Sequence, residues 1–215
     1  MNQITLGGLN PVTQVRRQTR RALAKQRTRE KILAAAKALF TERGYDGATI
    51  RDIAAGAGMS TGAVFASFTD KSDLFTEIVG VEHQTLFGLM REAAQGKSAF
   101  AAIQAMFEVA ADRHLDDLPL FQATMSALWS PALGAQVRGR FARTPIAELL
   151  ASVLKAGLAS GELRASAPAG LLAEMLWDGY VSSIRRAALD GFDLNQVKRR
   201  VADQVGIILA GARHG

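Results

Sequence analysis

Apolar residues recur at every third or fourth position through most of this chain, with polar residues between them. Such spacing lines one face of an α-helix with hydrophobic side chains. Residues 27–43 show the pattern clearly, because Ile32, Ala36 and Phe40 share one face while Arg29 and Glu42 fall on others. No β pattern competes with it. The periodicity predicts an all-α protein.

Individual residues mark the helix boundaries after residue 43. Gly44 stands where a helix end needs positive φ, and Thr49, Ser60 and Asp70 stand where N-caps accept backbone N–H groups. Between them, Gly58 supplies a tight turn. Two short helices joined by a turn and followed by a third helix start are typical of a helix-turn-helix, which binds DNA.

The residues of this segment form a specific pattern. They read Ala54-x-x-Ala57-Gly58-Met59 and then Ser60-x-Gly62-x-Val64-Phe65-x-x-Phe68-x-x-Lys71-x-x-Leu74. Over about residues 27–78 this resembles the helix-turn-helix signature of the tetracycline-repressor (TetR) family of bacterial transcription regulators. Phe65 stands where that family usually has Tyr, and Ser67 where it has His or Tyr.

The resemblance implies roles for several side chains. Thr49, Thr61 and Lys71 would contact DNA phosphates, and Phe65 would lie at the DNA without the bond that a tyrosine hydroxyl offers. The major groove would be faced by Ser60, Thr61, Gly62, Ala63, Ala66 and Ser67. None of these is Arg, Lys, Asn or Gln, the residues that make bidentate contacts to guanine or adenine. We therefore expect modest discrimination at each base pair.

The net charge of +6 is concentrated before this module, since residues 1–30 hold seven basic residues and one acidic residue. Basic segments beside a DNA-binding module neutralise phosphates. We expect contacts with DNA from Arg16, Arg17, Arg20, Arg21 and Arg27, the first four as an arm in the minor groove. A solvated tail is the alternative interpretation.

Past Asp70 the pattern predicts a helical body. One long helix at 71–94 joins it to the module, and further helices are expected at 98–115, 118–129, 133–160, 168–190 and 194–211. The predicted parts are a basic N-terminal arm at 1–26, a helix-turn-helix domain at 27–75 and a regulatory domain for ligand binding and dimerisation at 76–215.

The last two predicted helices are apolar over a wide arc. The arc consists of Leu172, Met175, Leu176, Tyr180, Val197, Val201, Val205 and Ile208. Two such hairpins related by a two-fold axis form a four-helix bundle, as TetR-like proteins do when they dimerise. We expect a homodimer through these residues, whose paired recognition helices suit a palindromic operator. The alternative is that both faces are ordinary core.

Methionine and aromatic side chains lie between the long helix and this hairpin. The candidates to line a ligand cavity are Met106, Phe107, Phe121, Gln122, Met125, Trp129, Phe141 and Trp177, with His114 and Thr124 as further polar groups. Such a lining suits a small, largely apolar effector. Residues of this kind also fill ordinary cores.

Catalytic and metal chemistry is not indicated. The chain has no cysteine, its three histidines are scattered, and it has no phosphate-binding glycine loop. We expect no enzyme, no cofactor and no metal. The first twelve residues lack a long apolar run, so we expect a cytoplasmic protein without a membrane partner.

These features favour a homodimeric transcriptional repressor that binds double-stranded DNA and is released from its operator by a small molecule. A weakly sequence-specific architectural DNA-binding protein without a ligand is the alternative, because the recognition helix is poor in charged residues. A third interpretation, a module that docks another protein through its apolar helices, would not need the N-terminal arginines.

Overall fold

The computed structural model describes residues 11–142, 145–164 and 168–211, with side chains from residue 20 onward. Every regular element in these ranges is an α-helix, which confirms the predicted fold class. The helices are α1 (Pro11–Gly47), α2 (Ile50–Gly56), α3 (Thr61–Phe65), α4 (Lys71–Ala94), α5 (Ala99–Asp116), α6 (Leu118–Trp129), α7 (Gly134–Phe141), α8 (Ile146–Ala159), α9 (Ala169–Asp190) and α10 (Leu194–Ala210).

Helix α1 begins well before residue 27. Its backbone is helical from Pro11, so the described part of the predicted arm continues the helix. Arg20 and Arg21 are exposed on it, whereas the side chains of Arg16 and Arg17 lie outside the described residues. The helix breaks at Gly44, where φ is 70° and ψ is 176°. Only glycine occupies that region without strain, so the positive φ expected there is confirmed.

The predicted boundaries of α4 and α6 agree with the structure. The single helix predicted at 133–160 is wrong, because α7 ends at Phe141 and α8 begins after Pro145. Proline lacks a backbone N–H and disfavours helical backbone at the residue before it. The apolar periodicity continues on both sides of this break, which is why the pattern alone suggested one helix.

One hydrophobic cluster joins the first four helices to the body. Phe40, Val64 and Phe75 belong to it together with Leu120 of α6 and Val137 of α7. The rings of Phe40 and Phe75 meet edge to face with centroids 5.3 Å apart. The helix-turn-helix therefore packs on α6 and α7 through a shared core, in addition to its covalent continuation into α4.

A second cluster fills the body, where α9 packs on α8 and α10, and α10 packs on α5. Six residues predicted at a dimer interface are buried in this core: Leu172, Leu176, Tyr180, Val197, Val201 and Val205. Their side chains fill the interior of their own protomer, as in the alternative interpretation of ordinary core, and the dimer interface itself stays a prediction. Met175 is 47% exposed and Ile208 is partly buried, so both reach the surface.

A helix that crosses a bilayer needs about 20 consecutive, mostly apolar residues. Within the described ranges, no helix is long and apolar enough to do so.

Candidate nucleic-acid interface and ligand cavity

Three side-chain caps define the helix-turn-helix. The Ser60 hydroxyl accepts the Ala63 N–H at 3.2 Å, and the Asp70 carboxylate accepts the Asp73 N–H at 2.8 Å. The Thr49 hydroxyl accepts the Asp52 N–H at 3.2 Å and donates to the Asp52 carboxylate at 2.6 Å. This bond from Thr49 lowers the pKa of Asp52. The predicted starts of α2, α3 and α4 are thus confirmed.

Helix α3 is short and is anchored from one side. Val64 and the following Phe68 are buried in the module core. On the surface side, Ser60, Thr61, Gly62, Phe65 and Ala66 are exposed, and Ala63 and Ser67 are partly exposed. The turn before α3 is made at Gly58, whose φ is 67°. The residues predicted to face the major groove are thus accessible at the surface of the module. Their contacts with bases stay predictions.

Phosphate-contact candidates differ in their surroundings. Thr49, Arg20, Arg21 and Arg27 are exposed. Lys71 is partly buried, and its ammonium donates to the carbonyls of Tyr45 at 2.9 Å and Ala48 at 3.1 Å. An ammonium has three N–H donors, so one is not used by these carbonyls, and the ammonium also lies 4.3 Å from the centroid of the Tyr45 ring. Lys71 therefore has a structural role that the sequence did not indicate.

Arg29 is a further residue that the sequence analysis left unassigned. Its guanidinium donates to the Ser67 carbonyl at 2.7 Å, pairs with both oxygens of Glu77 and lies 4.1 Å from the centroid of the Phe68 ring. Glu77 is 48 positions away in the chain. No local spacing rule relates residues so far apart, so the pair could not have been found from periodicity.

A cavity of about 60 Å³ lies in the body where five helices converge. Its walls come from α4, α5, α6, α7 and α9. Of the predicted lining residues it contains Phe121, Met125, Phe141 and Trp177, together with His114 and Thr124. The ring of Phe141 stacks on His83 of α4, with centroids 3.8 Å apart and an interplanar angle of 10°.

Four predicted lining residues lie elsewhere. Met106 and Phe107 are fully buried in the body core. Trp129 is 81% exposed at the end of α6, and Gln122 borders an open surface cleft of about 910 Å³ between α1, α4 and α6. These four residues therefore do not line this cavity. Gln122 and Trp129 lie on a side of α6 away from it, whereas positions 121, 124 and 125 of the same helix border it.

Charged side chains that the sequence analysis did not single out form one wall of the cavity. Glu82 accepts from Lys37 of α1 at 2.6 Å and pairs with Arg113 of α5. Lys37 also lies 3.4 Å from Asp117, which in turn accepts from the Thr41 hydroxyl at 3.1 Å. Burial alone would raise the pKa of Glu82, but the bonds from Lys37 and Arg113 outweigh it and lower that pKa.

His114 carries no charge near neutral pH. Burial, with smaller effects of His83 and Arg113, lowers the pKa of His114 to about 3. Its Nδ1 lies 2.6 Å from the Tyr180 hydroxyl, and Tyr180 stacks on Phe107 with ring centroids 4.9 Å apart. The cavity thus combines a neutral imidazole and aromatic rings with one charged wall. In the described ranges no group of three or more His, Asp or Glu residues is placed to hold a metal ion.

Residues 32–78 match the family described as bacterial regulatory proteins, tetR family. The HTH-type transcriptional repressor BepR of Brucella suis is 41% identical to this chain over 68 residues, which are 32% of each chain. The HTH-type transcriptional repressor AcnR of Corynebacterium glutamicum is 27% identical over 173 residues, which cover 75% of this chain and 84% of AcnR. The chain thus spans about a third of BepR and most of AcnR.

A solved structure extends the similarity to the body. FadR of Thermus thermophilus, a TetR-family transcriptional repressor in complex with lauroyl-CoA, superimposes with a TM-score of 0.66 at 27% identity. The superposition covers 87% of this chain and 97% of FadR. With its capped helix-turn-helix, its exposed recognition helix α3 and these similarities, residues 32–78 of the chain form the DNA-binding domain of the tetR family of bacterial regulatory proteins.

Proposed function

We propose that this protein is a homodimeric transcriptional repressor that binds a palindromic operator and is released by a small, largely apolar effector in the body cavity. The repressor role is supported by relatives that carry this description over both module and body. The exposed surface of α3 and the exposed Arg20, Arg21 and Arg27 supply the groups for DNA.

One observation carries the ligand response. Helix α4 starts at the Asp70 cap inside the module and reaches the cavity through Val79, Glu82 and Leu86. Glu82 in the cavity wall also holds Lys37 of α1. A shift of this wall is therefore communicated to the module by a continuous helix and by an ion pair.

The small volume of the cavity supports release of the operator when an effector binds. Sites for drug-sized ligands enclose about 300 Å³ or more, and this cavity encloses about 60 Å³. An effector of that size would therefore fit only if the lining helices moved apart. A ligand that binds the widened state better shifts the population toward it, and operator and effector then weaken each other by the same factor.

The proposed dimer is supported by apolar side chains on the side of the α9–α10 hairpin that the protomer does not cover. Leu171 and Met175 of α9 and Ile207 of α10 are 53%, 47% and 75% exposed. A second copy related by a two-fold axis would bury these side chains in an isologous interface. The two recognition helices would then address two half-sites of one operator.

Selection from a pool of random duplex DNA at near-physiological salt tests this function. Enrichment of a palindrome is expected, whereas binding without enrichment contradicts sequence-specific repression. The enriched duplex then serves in a displacement assay in which lauroyl-CoA, the ligand of the FadR structure, is the first probe and free lauric acid, its apolar part alone, is the second. Trp177 in the cavity wall should report ligand entry by fluorescence, with a Trp129→Phe variant to remove the exposed indole.

A further inference from the structure

Arg29 contacts the segment that directly follows the recognition helix α3. That helix is five residues long and ends at Phe65, with Ala66 as its C-cap, so few of its own hydrogen bonds hold the segment that follows. Arg29 donates to the Ser67 carbonyl at 2.7 Å and stacks on the Phe68 ring. Arginine at a helix C-terminus satisfies carbonyls that lack a helical partner. In this module the arginine comes from α1, and the carbonyl that it satisfies belongs to Ser67, just after the C-cap of α3.

Two carboxylates of α4 hold the same segment. Glu77 pairs with Arg29 through both of its oxygens, and its side chain is only 19% exposed. One turn earlier, the Asp73 carboxylate accepts the Thr69 N–H at 3.1 Å. Residues 67–69, just after the recognition helix, are thus bonded to α4 in two ways. Thr69 bonds Asp73 directly, and Ser67 is linked to Glu77 through Arg29.

Arg140 of α7 faces both of these carboxylates. Its Nη2 lies 3.9 Å from the Glu77 carboxylate and 4.0 Å from that of Asp73. The stem of Arg140 lies against Gly80 of α4, where an added Cβ would come within 3.4 Å of it. The next residue, Phe141, lines the body cavity. Phe141 therefore lines the cavity, while its neighbour Arg140 faces the two carboxylates of α4 that bond the segment after the recognition helix.

We propose that Arg29 is a positioning residue for DNA recognition and that Arg140 couples the cavity to it through Glu77 and Asp73. The inference rests on the proposed function, because it concerns how that repressor responds to its effector. When the cavity widens, α7 carries Phe141 and Arg140 away from α4. Glu77 and Asp73 then lose a shared cation, and the segment at 67–69 loses part of the support that orients α3.

Operator binding by a double-mutant cycle tests this coupling. Arg140→Met keeps the aliphatic stem on Gly80 and removes the charge, and Arg29→Lys keeps a charge and removes the guanidinium fork. Arg140→Met should weaken operator binding about threefold to tenfold, and the double variant should be weakened by less than the product of the single effects. The salt dependence of binding should not change in Arg140→Met, since Arg140 is not proposed to touch phosphate.

Arg138→Met is the matched control. It lies on the same helix, is exposed, and donates to the Leu128 carbonyl at 3.0 Å within the body. It should bind operator as the wild type does. Equal losses in Arg138→Met and Arg140→Met, or fully multiplicative effects of Arg29→Lys and Arg140→Met, would overturn the coupling.

Amide hydrogen exchange supplies a readout that needs no DNA. The Ser67 and Phe68 amides both donate to the Val64 carbonyl at 2.9 Å. Their exchange should be faster in Arg140→Met, while the Ala57 amide at the end of α2, which donates to the Ile53 carbonyl at 2.9 Å, should exchange as in the wild type. Unchanged exchange at Ser67 and Phe68 overturns the coupling by itself. A wild-type protein that enriches no operator overturns only the proposed repressor function.

Discussion

Lys37 of α1 and Glu82 of α4 form an ion pair with 2.6 Å between the ammonium and the carboxylate. Because Glu82 also pairs with Arg113, this carboxylate joins the DNA-binding module, the long helix and the body at one point. The polar wall of the cavity is therefore part of the contact between module and body. An effector that displaces Glu82 would alter that contact directly.

Replacing Glu82 by Gln should destabilise the protein. Lys37 and Arg113 would each lose a charged partner, and since these side chains are about a quarter to a third exposed, the loss should be about 1 kcal/mol. Urea unfolding measures it. Glu92→Gln, at an exposed position of the same helix, should leave the midpoint unchanged. A Glu82→Gln protein as stable as the wild type would show that the network carries no net stability.

Stability should depend on pH through His114. Its folded pKa of about 3 lies below the ordinary value of 6.5, so the unfolded chain binds a proton that the folded protein does not. The contribution of His114 to the free energy of unfolding is complete above pH 6.5. It declines as the pH falls toward 3, by about 1.4 kcal/mol per pH unit. His114→Gln, which can still bond Tyr180, should have a flatter profile. Urea unfolding at pH 7 and pH 5 compares the two, and parallel profiles would contradict the neutral imidazole.

Gly58→Ala should destabilise the module although the added Cβ would clash with no atom. The space around an added Cβ is empty, but φ is 67°, where a side chain strains the backbone by about 1 kcal/mol. Gly88→Ala is the matched control, because Gly88 is helical and equally open. It should stabilise by roughly 0.5–1 kcal/mol. Thermal unfolding separates the two variants, and equal shifts would contradict the role of the turn.

Alanine at Arg20 and Arg21 should weaken operator binding and reduce its salt dependence. For each phosphate that is no longer neutralised, the slope of log K against log salt should become shallower by about 0.9. Fluorescence anisotropy at several salt concentrations measures this slope. Arg185→Ala with Arg199→Ala removes two exposed charges from α9 and α10 and should leave the slope as it is. If the slope becomes shallower by the same amount in both double variants, the effect comes from net charge and not from contacts of Arg20 and Arg21 with phosphates.

Glutamate at Ile207 should dissociate the proposed dimer. Ile207 is 75% exposed on α10, and a charge there would be buried without a partner in an interface between two copies. Sedimentation velocity should show the monomer for Ile207→Glu and the dimer for the wild type. Trp129→Glu changes a side chain that is 81% exposed on α6 and should stay dimeric. A dimeric Ile207→Glu protein would place the interface elsewhere.

Local features of the fold were predictable from the sequence. Caps and turn residues act within four positions, so Thr49, Ser60 and Asp70 could be assigned to helix starts, and the bounds of α4 followed. Hydrophobic periodicity shows which face of a helix is apolar and not what covers it. For that reason the pattern alone suggests a partner subunit at Val197, Val201 and Val205, whereas they pack inside the protomer.

The charged contacts of the candidate site could not be predicted. Arg29 with Glu77 and Lys37 with Glu82 join positions that are 48 and 45 residues apart. Each of these residues has the polar, surface-facing pattern of a solvated helix side, and only the packing of α1 against α4 brings them together. Their pairing depends on tertiary structure, and no local pattern encodes it.

Glu77 and Glu82 determine which parts of the molecule can move as a unit. Five residues turn an α-helix by about 500°, so these two carboxylates point about 140° apart around α4. Both nevertheless pair with α1, through Arg29 and Lys37. Rotation of α4 about its own axis would break at least one of these pairs, whereas a swing of α1 and α4 together keeps both. Such a swing would have to change the contacts of the two helices with the body, among them Glu82 with Arg113, Glu77 with Arg140 and Lys37 with Asp117.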